Sequence, residues 1–219
     1  MQPIRRSDPL AKPAKLSPAP AKAVRTRRAY FDFKFGQLHV RTAFPDTGGF
    51  DEQVTLFCLH SEQASSRLFA RFLPEIAEVR SVYAPDLPGY GESDPTPSLS
   101  VADASEAVSD LANDLRLRQI DVLGIHAGAA IALGLAAARP ELVRRLVLIG
   151  VPAADRLPRV AAQVLVLRTR LESAEDLAKV KAAAARVDFE DIAGYADDLF
   201  DAQPKTLAKQ IGAFLSGLP

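Results

Sequence analysis

The chain has a single cysteine, Cys58, in 219 residues. One thiol excludes an intrachain disulfide framework and a cysteine-based zinc cluster. Histidine is almost as scarce, with His39, His60 and His126 alone. Long apolar runs are missing too. The longest, Ala127 to Ala138, has 12 residues, too short to cross a bilayer. Nor does either charge sign prevail, because 27 basic and 27 acidic residues cancel.

The cancellation hides a division. Residues 1–28 hold eight basic residues against Asp8, a charge of +7, and leave the remainder at −7. A globally basic nucleic-acid binder is therefore disfavoured. The first 28 residues also contain five prolines and few large apolar groups. Such a segment buries too little surface to offset its ordering entropy, so a disordered tail over 1–28 is expected. It reads as a solubilising extension or, more sharply, as an arm for an acidic protein, nucleic acid or an anionic membrane surface. Arg5-Arg6 has no apolar region behind it, so no export is expected, and a cytoplasmic protein is the expectation.

What is present is a body of ordinary globular composition, 48% apolar and 25% charged. Tyr30–Phe35 and Leu38–Phe44 read as a hairpin turning at Gly36-Gln37. Strands follow at 54–59, 82–84, 120–123, 146–149 and 164–167, with a last at Val187 and Phe189. Helices are expected at 67–79, 101–117 and 127–138, from Ser173 to about Ala185, and at 206–215. Ser173 with Asp176 forms a capping-box pattern. The helix at 127–138 is apolar all round and so belongs in a covered, central position. Alternating strands and helices imply one α/β domain over 29–219, with a mostly parallel central sheet and helices on both faces.

Three segments carry a resemblance. Gly124-Ile125-His126-Ala127-Gly128 lies between an apolar strand and a small-residue helix, with the spacing of a G-x-S-x-G nucleophile elbow. Asp86-Leu87-Pro88-Gly89-Tyr90-Gly91-Glu92-Ser93 matches a D-x-P-G-x-G-x-S segment. Pro140 to Gly150 matches the run into a sixth strand. In this order they resemble the α/β-hydrolase superfamily over residues 30–219. The short connection from Val151 to Gln163 further implies a member without a cap domain.

The resemblance places the chemistry where this sequence lacks it. Relatives put Ser, Cys or Asp at the elbow, and here stands His126. Their base follows the last strand as a Gly-His pair, and here Gly194-Tyr195 stands. Their acid follows the seventh strand in a G-x-x-D turn, where this chain reads Arg168-Thr169-Arg170-Leu171-Glu172. Asp155 is an alternative acid with no base to orient. The oxyanion loop reads His60-Ser61-Glu62, with a carboxylate near a site that favours donors.

The expectation is a catalytically degenerate homologue, a pseudoenzyme binding an unknown small molecule or protein through His60, Ser61, Glu62, His126, Ala127 and Tyr195. The rival is an enzyme of the same fold using His126 as base, assisted by Glu62 or Tyr195. A third reading is a structural subunit in a homo- or hetero-oligomer. His60 reads as structural, Asp86, Gly89 and Gly91 as loop-shaping, and His39 as an ordinary strand residue. Asp197, Asp198 and Asp201 lack regular ligand spacing, so neither a metal nor a cofactor is expected.

Overall fold

The structure is a computed structural model that describes residues 24–46, 53–96, 100–150, 158–169, 173–184, 186–196 and 198–217. Eight strands form one sheet: β1 (Val24–Phe33), β2 (Gly36–Pro45), β3 (Leu56–Leu59), β4 (Val82–Pro85), β5 (Ile120–Ile125), β6 (Val143–Ile149), β7 (Gln163–Arg168) and β8 (Val187–Asp191). Their order is β1-β2-β4-β3-β5-β6-β7-β8. β2 runs antiparallel to both β1 and β4, and the pairs from β4 through β8 are parallel. The helices are α1 (Phe72–Ile76), α2 (Val101–Asp114), α3 (Ala127–Ala138), α4 (Ala174–Ala183), α5 (Leu199–Ala202) and α6 (Pro204–Ser216).

Period-two alternation along the central strands divides the apolar residues between two cores. Phe57, Leu59, Val122, Leu146, Leu148, Val164 and Val166 face α2, α3 and α4. Leu56, Cys58, Leu123, Ile125, Val147, Ile149, Leu165 and Leu167 face α1, α5 and α6. The small residues of α3 let α2 come close. Ser105 Oγ of α2 donates to the Val101 carbonyl of its own helix at 2.7 Å and lies 3.1 Å from the Ile131 carbonyl of α3.

Three expectations change. The hairpin turn expected at Gly36-Gln37 lies at Lys34-Phe35, with Gly36 opening β2 opposite Phe33. The single helix expected over 67–79 is a 3-10 turn, Ser66–Phe69, followed by the short α1. Pro74 explains the break, since its ring would strike the Ala70 carbonyl in a continuous helix and it has no N–H to donate. The expected tail boundary at residue 28 falls inside β1, whose ladder to β2 runs from Val24↔Pro45 to Phe33↔Gly36. The Arg-rich start of β1 disguises it, but charged side chains are well tolerated on an edge strand and discourage unwanted pairing. Deleting residues 1–28 should therefore remove five ladder residues and lower the thermal midpoint by several degrees. An unchanged midpoint by scanning calorimetry would show that this half of β1 adds nothing to stability. Residues 1–23 of the expected tail lie outside the described residues.

Candidate functional site

The site region is built where parallel strands end. β3 and β5 are neighbours in register, Leu59 against Gly124, so the His60-Ser61-Glu62 loop and the elbow leave adjacent strands at the same edge. At the elbow His126 takes φ 47° and ψ −106°, a strained conformation for a side-chain-bearing residue. It is held from both sides. Its N–H donates to the Ile149 carbonyl of β6 at 3.0 Å, and its carbonyl accepts from Ala129 at 3.0 Å in the first turn of α3.

Gly128 shows why the elbow needs small residues. A Cβ there would overlap the Leu59 carbonyl oxygen and press on that of His60 at 2.7 Å. These are backbone atoms and cannot swing aside. The half-buried His126 imidazole lies against Gly150, where a Cβ would overlap its Nδ1. Ala127 opens α3, so its N–H belongs to the first-turn donors without intrahelical partners.

His60 is fully buried. Its Nδ1 donates to the Ser61 carbonyl at 2.7 Å, and its Nε2 accepts the Leu87 N–H at 2.9 Å. Burial pushes its pKa down, outweighing the opposing effects of the Ser61 carbonyl and Asp86. With both nitrogens committed to backbone, this neutral ring ties the β3 loop to the β4 loop and has no polar edge for a ligand. Ser61 is buried beside it, whereas Glu62 is exposed.

Tyr195, the ligand-binding candidate at the family's base position, lies at the surface. Its side chain is 65% exposed, and its carbonyl accepts from Asp198 and Leu199 at the start of α5. It follows β8 at the sheet margin, separated from β5 by β6 and β7. Asp155, Arg170, Leu171, Glu172 and Asp197 lie outside the described residues. Asp201 pairs with Arg71 at 3.6 Å. Among the described residues no three His, Cys, Asp or Glu side chains come together to hold a metal ion.

Sequence reasoning missed one polar centre. His39, read as an ordinary strand residue, is buried and donates from Nδ1 to Asp86 Oδ2 at 2.9 Å. The partners are 47 positions apart, so spacing carries no sign of the pair. Asp86 Oδ1 also accepts the Ser66 N–H at 2.5 Å, and Oδ2 the Glu92 N–H at 2.8 Å. Burial pushes the Asp86 carboxyl up, but the Glu92, Ser66 and His39 donors together outweigh it and hold the group below its ordinary value.

A family model for the alpha/beta hydrolase fold matches residues 54–189. The chain belongs to the α/β-hydrolase fold family. This hydrolase-fold chain is 37% identical to the 2-hydroxymuconate semialdehyde hydrolase of Pseudomonas sp. (strain CF600) over 118 residues, 51% of this chain and 40% of the other. It is 32% identical to a haloalkane dehalogenase of Bradyrhizobium diazoefficiens over 105 residues, 48% of this chain and 34% of the other. It thus spans well under half the length of these curated relatives. Among solved structures it resembles Cfl2 of Burkholderia cenocepacia, with TM-score 0.75, 16% identity and coverage of 87% of this chain and 96% of the other. The naproxen esterase of Bacillus subtilis also has TM-score 0.75, with 16% identity and 89% and 93% coverage. At such identity the structures show the shared fold. No helix of the described residues is long and apolar enough to cross a membrane.

Proposed function

We propose that this chain is a catalytically degenerate α/β-hydrolase homologue that binds a ligand or partner at the former active-site edge. The observation that carries the reading is His126 at the elbow, held at φ 47° where relatives present a nucleophile. Imidazole at that point offers no hydroxyl or thiolate to form the acyl or alkyl intermediate of the family's chemistry. The thiol of Cys58 is no substitute, since it is fully buried and burial pushes its pKa far up, away from the reactive thiolate. The residue at the family's base position, Tyr195, is exposed. The first-turn amides of α3 remain suited to a carboxylate or another anion.

The elbow strain also supports a second reading, in which it aims the His126 imidazole as general base for another reaction. One pair of experiments tests both. Fluorophosphonate labelling and p-nitrophenyl acetate turnover should match a protein-free control once surface imidazole is corrected for. Stoichiometric labelling of one serine would overturn the degenerate assignment. A substrate-library screen of the native chain against His126→Ala should show equal, background rates. Turnover present in the first and absent in the second would establish the His126-base reading instead.

A further inference from the structure

A cleft of about 380 Å³ opens between the β1–β2 hairpin and α1, with Thr26, Arg28, Arg41, Ala70, Leu73 and Pro74 among its lining residues. Arg28 stands directly opposite Arg41 in the antiparallel register. Their side chains therefore leave the same face of the sheet, the one on which Ala43 packs with Leu73 of α1. Like charges set directly opposite each other on a sheet repel.

Neither arginine is well satisfied. Among the described residues the Arg41 Nε is buried without a hydrogen-bond partner, and no carboxylate lies within ion-pair distance of Arg41. The acid facing Arg28 is Glu92, at 3.7 Å, which also accepts the Tyr30 hydroxyl at 3.3 Å. One carboxylate, engaged elsewhere and beyond hydrogen-bond length, leaves two guanidinium forks with donors to spare.

We propose that this cleft binds the phosphoryl group of a small soluble ligand. A phosphoryl dianion has three terminal oxygens and can bridge two forks, relieving the repulsion, whereas one carboxylate saturates a single fork. The cleft volume falls within the range of small-ligand sites. Leu73, Pro74 and Ala70 supply an apolar floor for the body of the ligand. The site lies on β2, with β4 and β3 between it and the elbow strand β5, and does not depend on the reading of His126.

Calorimetric titration of the full chain with phenyl phosphate at low salt tests this, alongside the Arg41 Nε–H resonance followed by NMR. Saturable binding and a shifted Arg41 signal are expected, with phenylacetate binding far more weakly. Arg41→Gln should weaken phenyl phosphate about tenfold or more, the value of one charge-assisted hydrogen bond. Arg28→Gln, a change at an exposed side chain, should weaken it several-fold and keeps the test valid if Arg41→Gln misfolds. Glu92→Gln should tighten binding, and Arg118→Gln, an exposed arginine outside the cleft lining, should leave it unchanged. No saturable binding, equal affinity for phenylacetate, or an unchanged Arg41→Gln affinity would overturn the proposal. So would Arg41-dependent retention on phosphatidic acid vesicles with no binding of phenyl phosphate, which would place the phosphoryl group on a lipid.

Discussion

Asp121→Ala should destabilise the chain by about 3–5 kcal/mol, the cost of stranding a buried charge. Asp121, the second residue of β5, is fully buried, and Arg80 beside it has 0% exposure. Arg80 reaches Asp121 Oδ2 at 3.4 Å. Its other contacts are neutral and long: the Val54 carbonyl and Gln53 Oε1 at 3.4 Å and Ser216 Oγ at 3.5 Å. Removing the carboxylate leaves a guanidinium in the interior with no counter-charge among the described residues. Arg80→Met should cost much less, because Asp121 keeps the fork of Arg144, bonded at 2.9 and 2.6 Å. The double variant Asp121→Ala with Arg80→Met should recover most of the loss, as buried pairs replaced by apolar groups commonly do. Urea unfolding of the three variants checks the order. Equal costs for the two single variants would show that Arg80 is not held by Asp121.

That cluster also fastens the far side of the fold. Arg144 donates to the Leu215 carbonyl, and Arg145 to those of Phe214 and Leu215, all at 2.7 Å. These are among the last carbonyls of α6, which lack partners within their own helix and carry the negative end of its dipole. Two arginines of β6 thus do what the last turn of α6 has no basic residue to do.

Local chemistry was readable from the chain, and long-range placement was not. The bounds of α3 follow from its uninterrupted small and apolar run, whereas the β1–β2 turn lies two residues before the Gly36-Gln37 step that residue type suggests, because Gly36 pairs with Phe33 in the ladder. The elbow followed from the spacing of Gly124 and Gly128, because close backbone approach leaves a mark in residue type. Pro74 was visible, but the apolar spacing across it favoured a continuous helix. The start of β1 was concealed because its stability comes from the β2 ladder, not from its own arginines. Arg80 and Asp121 are 41 positions apart, and neither stands in a motif. The position of Tyr195 depends on where β8 joins the sheet and how the chain turns into α5, which residue types around Gly194 do not determine.

Asp86→Ala should cost on the order of 4 kcal/mol and loosen the edge that carries the candidate site, since three donors, two of them buried, lose an ionised acceptor. His39, the Ser66 N–H and the Glu92 N–H would each be left unpaired. The effect should travel. Leu87, the next residue, donates to His60 Nε2 at 2.9 Å, and the His60 carbonyl is one of the two against which Gly128 packs. Amide exchange should therefore quicken at Ser66, Leu87 and Glu92, and more weakly at the first turn of α3. The sign of the pH dependence follows from a folded-state pKa held below the ordinary 3.8. The stabilisation is fully present above the unfolded-state value and disappears as pH falls through the lower folded-state value. The native chain should thus lose stability through this range below pH 4 more steeply than Asp86→Ala, so that the two curves converge in acid. Curves that stay parallel from pH 7 to the acid limit would show that the Asp86 charge contributes nothing, and that the loop is held by its backbone bonds alone.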